Sequence, residues 1–126
     1  MKQAITTTKA PASIGTYSQA ICSQKTIYVS GQIPLDPKSM EMITGDVRDQ
    51  VNQVLDNLTA ILEASGSSTD KVLKLTVFLT DLHNFEQVNE VMAARLTEPY
   101  PARAVVEVSA LPKGAKIEID AIASLD

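Results

Sequence analysis

The chain has 126 residues, 44% of them hydrophobic and 21% charged, enough for one sizeable core and too few for two ordinary domains. Eleven basic against fifteen acidic side chains leave a net charge of −4, which argues against a protein that works by neutralising nucleic-acid phosphates. A single cysteine, Cys22, and a single histidine, His83, exclude an internal disulfide, a cysteine-based metal cluster and a histidine triad.

No apolar run approaches membrane-spanning length and no hydrophobic signal segment follows Met1, so the expected setting is the cytoplasm. Without repeats, low-complexity tracts or linkers, the expectation is one domain over residues 1–126. "AITTT" reads as a short β-branched edge strand and "APASIG" as a loop. "YSQAICS" and "TIYVSGQI" follow as two strands joined at Gln24 and Lys25. In the second, Ile27, Val29 and Gly31 are expected on one face and Tyr28, Ser30 and Gln32 on the other. "PLDPKSMEMITG" is turn-rich.

Val47, Val51, Val54, Leu58, Ile61 and Leu62 fall at steps of three and four and predict a helix over about 46–65. Asp46 and Asp49 suit its start and Gly66 its C-terminal cap. "VLKLTVFLT" predicts a strand with Leu73, Leu75, Val77 and Leu79 on one face and Thr76 and Phe78 on the other. A second helix is expected over about 84–96, its stripe formed by Phe85, Val88, Met92 and Leu96, with Pro99 beyond its end. "RAVVEVS" and "KIEIDAIAS" close the chain as strands. The order is β-β-β-α-β-α-β-β, an α+β chain with right-handed parallel crossovers. Two helices cover one face of such a sheet. The other would expose Tyr28, Phe78 and Val105 or their alternates, a patch usually closed by self-association.

Few residues offer chemistry. Gly31 in "SGQ" marks either a simple bulge or a place where backbone approaches a ligand. Tyr17 in "GTYSQA" is an amphipathic ring beside a loop. Glu118 and Asp120 share one face of "KIEIDAIA", opposite Ile117, Ile119 and Ala121. They suit a general acid/base pair or a solvated polar face. This strand is the most apolar in the chain, so a central position is expected, where a carboxylate would need a partner. Arg103, on one face with Val105 and Glu107, is either an anion receptor, a structural ion pair or a side chain snorkelling to solvent.

"APASIGTYSQA", "YVSGQIPLDP", "VNEVM" and "PARAVVEVSALPKGAKIEIDAIA" resemble the RidA (YjgF) family of reactive-intermediate imine deaminases, nearly end to end. The resemblance implies a chorismate-mutase-like (YjgF-like) fold, with a six-stranded mixed β-sheet and two helices on one face. It implies a homotrimer with clefts between subunits, and hydrolysis of 2-iminobutanoate and 2-iminopropanoate (2-aminoacrylate) to 2-oxo acids and ammonia without a cofactor. Carried over by position, Arg103 holds the substrate carboxylate and Glu118 the attacking water. Tyr17, Ser30, Gly31 and Asn89 line the cleft, and the backbone at Ala104 and Val105 follows the arginine into it. Two departures stand out. Thr16 follows Gly15 where many relatives have proline, and Val105 stands where many bacterial members have cysteine. Rival expectations are an RNA-directed endoribonuclease or translation inhibitor, as some relatives are described, and a non-catalytic small-molecule binder or chaperone.

Overall fold

Residues 1–126 are described by a computed structural model. Two non-glycine residues in the left-handed region, Gln24 (φ 49°) and Lys25 (φ 65°), make a two-residue turn. Paired left-handed residues twist a two-residue turn to match its strands. That turn joins β2 (Ala20–Ser23) to β3 (Thr26–Gln32), and β1 (Gln3–Ile5) pairs with β2 at the sheet edge. The remaining strands are β4 (Val72–Leu79), β5 (Ala102–Glu107) and β6 (Ile117–Ser124). They form one six-stranded sheet in the order β1-β2-β3-β6-β4-β5, antiparallel throughout except for the parallel pair β4–β5.

The apolar strand β6 is central, as its composition predicts. Ile117, Ile119, Ala121 and Ala123 are buried on one side, with Glu118 and Asp120 between them on the other. Helix α1 (Val47–Ala64) lays its expected stripe on that buried side. Its start is a reciprocal box: Asp46 accepts from the Asp49 N–H at 3.1 Å, and Asp49 accepts from the Asp46 N–H at 3.3 Å. Its end turns at Gly66 (φ 86°), with Ser67 N–H bonded to the Leu62 carbonyl at 2.9 Å and Gly66 N–H to that of Glu63 at 3.1 Å. Helix α2 (Phe85–Arg95) buries Val88, Val91 and Met92 beside it. Ion pairs Arg48–Glu90 and Arg95–Asp56, each at 2.8 Å, tie the two helices together.

Two expectations about facing are corrected by strand irregularities. A register shift between Val72 and Lys74 puts Val72 in the core and leaves Leu73 52% exposed. A second shift between Val29 and Gln32 ends the alternation in β3, so Gln32 is buried and Gly31 lies on the open side. Val105 pairs in register with Val77 on the helix side, so Val106, beside Phe78, takes its place on the open face. That face also carries Tyr28, and no element of the chain covers it. No helix is long and apolar enough to cross a membrane.

Candidate functional site

The bulge in β3 creates the most distinctive contact of the open face. Gly31 lies so close to Glu118 that a Cβ built on it would overlap the carboxylate. Glycine is required here for room, since its backbone lies outside the left-handed region. Gly31→Ala should therefore displace Glu118 rather than the backbone. The expected result is a melting temperature near wild type with any Glu118-dependent rate down by about tenfold to a hundredfold. Thermal denaturation and a rate assay on one sample check it.

Around this contact lies a cleft of about 550 Å³, lined by Tyr17, Ser30, Gly31, Gln32, Lys113 and Glu118. Ile14, Leu35 and Met40 give it an apolar wall. The Ser30 hydroxyl donates to the Ser18 carbonyl at 2.5 Å, so its lone pairs are what it presents to a ligand. The Tyr17 hydroxyl accepts from the Ile14 N–H at 3.3 Å and steadies the rim. The lining offers one carboxylate and neither histidine nor cysteine, a donor set unsuited to a transition metal.

Two buried amides that the sequence reading passed over build the cleft walls. Gln19 donates to the carbonyls of Thr7 at 3.0 Å and Pro11 at 2.7 Å and accepts from the Thr7 N–H at 2.7 Å. It thereby pins the segment that carries Pro11 and Ala12 into the lining. Asn57, fully buried in α1, donates to the Leu35 carbonyl at 3.0 Å. It is in turn fixed by Gln53, which donates to its Oδ1 at 3.0 Å. For Asn57 the signal in the sequence was a polar residue inside the apolar α1 stripe, since a buried amide needs partners and therefore organises what surrounds it.

Glu118 is half-buried, and its carboxyl pKa lies above the ordinary value, first through desolvation and second through the Asp120 charge on the same strand face. Arg103 stands elsewhere. It pairs in register with Leu75 on the helix side of the sheet, whereas Glu118 pairs with Phe78 on the open side. Its guanidinium Nη1 donates to Asn89 Oδ1 at 2.5 Å and lies 3.7 Å from the Met92 sulfur. None of the ion pairs in the chain involves it, which removes the structural ion-pair reading. Tyr17, Ser30, Gly31 and Glu118 are thus brought together in one cleft, and Arg103 and Asn89 in a second hollow with Leu75 and Tyr100. Ala104 is exposed on the open face and Val105 half-buried on the other. One chain does not join the two groups.

An uncovered sheet face, a half-buried carboxylate in a cleft and a guanidinium outside every ion pair of the chain are the distinguishing features of this small α+β protein. The family model described as Endoribonuclease L-PSP matches residues 7–125, and the chain belongs to this YjgF/RidA family. It is 52% identical over 123 residues to a RutC family protein of Pyrococcus horikoshii, covering 98% of each chain. It is 48% identical to the 2-iminobutanoate/2-iminopropanoate deaminase of Rattus norvegicus, over 98% of this chain and 90% of that one. Among solved structures, RidA from the Antarctic bacterium Psychrobacter matches with a TM-score of 0.93 at 52% identity, over 97% of this chain and 98% of that one. Escherichia coli TdcF with bound serine matches with a TM-score of 0.90 at 41% identity, over 97% and 98%.

Proposed function

We propose that the protein hydrolyses small 2-imino acids, 2-iminobutanoate and 2-iminopropanoate, to 2-oxo acids and ammonia. The observation that carries this reading is a guanidinium with no acidic partner in the same chain as a desolvated carboxylate set in a cleft. The named deaminase relative supports this substrate class, and the serine-bound neighbour supports a small amino-acid-sized carboxylate as ligand. Arg103 grips the substrate carboxylate through two parallel hydrogen bonds and so fixes the planar imine carbon. Glu118 takes a proton from one water as that water's oxygen bonds to the carbon. Glu118 passes that proton to the nitrogen of the resulting amino alcohol. It then takes up the hydroxyl proton as the C–N bond breaks, so that the C=O double bond forms and ammonia leaves with the 2-oxo acid behind. Ser30, its proton already committed to Ser18, accepts from the substrate nitrogen. Tyr17, Asn89 and the backbone at Ala104 and Val105 complete the enclosure. No cofactor enters these steps, because a protonated imine is already electrophilic.

The two halves of the machinery lie on opposite faces of the sheet, so each working site takes Arg103 from one copy of the chain and Glu118 from the next. The open face supplies the surface on which copies meet, and a homotrimer is the assembly we propose. The proposed setting is the cytoplasm, in keeping with one unpaired cysteine. RNA cleavage, which the family description names, has weaker support here. The chain is acidic, and its one histidine has a 97% exposed side chain, 3.0 Å from Asp81. A coupled assay tests the proposal, with a pyridoxal-phosphate threonine dehydratase releasing 2-iminobutanoate. Adding the protein should speed 2-oxobutanoate formation, and equal rates with and without it would refute the reading.

A further inference from the structure

Arg103 is held by groups that are electron-rich yet uncharged. Beyond Asn89 Oδ1 and the Met92 sulfur, its Cζ lies 5.2 Å from the centroid of the Phe85 ring. The face of an aromatic ring attracts a cation through its quadrupole without neutralising it. An acidic residue at the same place would hold the guanidinium more firmly but occupy the charge that an anion needs. We propose that Phe85, which sequence periodicity places simply in the core stripe, is a positioning residue for Arg103. It fixes the plane of the guanidinium before substrate arrives, and this inference rests on the reading of Arg103 as carboxylate anchor.

The ring and the arginine are locked into one frame. Phe85 opens α2, immediately after the short turn Leu82–Asn84. Asp81 caps that turn by accepting from the His83 N–H at 2.9 Å. Glu107, four residues beyond Arg103 on β5, accepts from the Leu82 N–H at 3.0 Å. The strand that carries the cation thus grips the turn that delivers the ring. Leu82, Phe85, Arg103 and Val105 line a common shallow hollow open to solvent, so the guanidinium rests on the ring and still faces outward. A free arginine loses much rotamer freedom when it clamps a ligand, and one already held loses less.

The test compares Phe85→Leu, which keeps apolar bulk but removes the π face, with Phe85→Tyr, which keeps the ring. Binding of 2-oxobutanoate is measured by calorimetry and turnover of 2-iminobutanoate in the coupled assay, with Arg103→Ala alongside. Phe85→Leu should bind 2-oxobutanoate about fivefold more weakly with kcat within about twofold of wild type, and Phe85→Tyr should bind as wild type does. Should Phe85→Leu fail to fold, Phe85→Met serves in its place, with the same expectation. Wild-type affinity in the leucine or methionine variant, beside a weakened Arg103→Ala, overturns the role of Phe85 and leaves the anchor standing. Wild-type affinity in Arg103→Ala overturns both.

Discussion

Arg103→Ala should keep at most about a tenth and Glu118→Gln at most about a hundredth of wild-type activity on 2-iminobutanoate, and an equimolar mixture refolded together should regain about a quarter. Losing the bidentate grip on a carboxylate removes about 1.5–3 kcal/mol, which is roughly tenfold to a hundredfold in kcat/KM. Losing a general base costs about a hundredfold to ten-thousandfold. Recovery follows from the register of β4. Leu75, which pairs with Arg103, faces the helices, whereas Phe78, which pairs with Glu118, faces the open side. If a site takes its arginine from one chain and its glutamate from the next, random assembly joins two intact halves at about one interface in four. A site built within one chain would recover nothing, because every chain in the mixture is broken. Activity after co-refolding, measured against each variant refolded alone, decides between them.

Glu118→Gln should also leave the protein at least as stable as wild type above the carboxylate range while it lowers turnover. The native carboxyl is raised from 4.5 by desolvation and by Asp120. The folded chain therefore binds this proton more tightly than the unfolded chain does. Protons bound in the unfolded state minus those in the native state is then negative, and stability falls as pH rises from the unfolded value through the folded one. Above that window the ionised carboxylate is a continuing cost that glutamine lacks. Urea denaturation at fixed protein concentration should give matching midpoints for the two proteins below pH 4.5. At neutral pH the variant should have the higher midpoint. A variant less stable at neutral pH would mean that Glu118 is retained for structure. In the assembled protein, a neighbouring Arg103 would lower the same pKa and shrink the difference, so the gain should be largest for dissociated chains.

The succession of elements was legible because periodicity and caps agree locally. The α1 stripe, the Asp46–Asp49 box and Gly66 all mark the same helix, and the apolar composition of β6 places it centrally. Facing was legible only where strands stay regular. Leu73, Gly31 and Gln32 were misassigned because bulges at Val72–Lys74 and Val29–Gln32 each flip the alternation, and the choice between Val105 and its alternate Val106 for the open face was left to the pairing with β4. Bulges answer to tertiary packing, which a single sequence does not display. The chemistry-bearing types at Arg103 and Glu118 could be read directly, but their separation across the sheet could not. Gln19 and Asn57 went unnoticed because their importance lies in which carbonyls they meet, and those come from segments distant in the chain.

The neutral setting of Arg103 bears on how an anion would reach it. Each chain carries a net charge of −4, and every further copy adds as much again, so a carboxylate diffusing from afar meets a repelling field. At physiological salt that field fades over about 8 Å, whereas the guanidinium, shared with no acid of its own chain, acts at contact distance. Dissolved ions then lower the barrier to approach more than they weaken the final grip. Capture by such a surface should quicken, rather than slow, as a very dilute buffer is brought to cellular ionic strength.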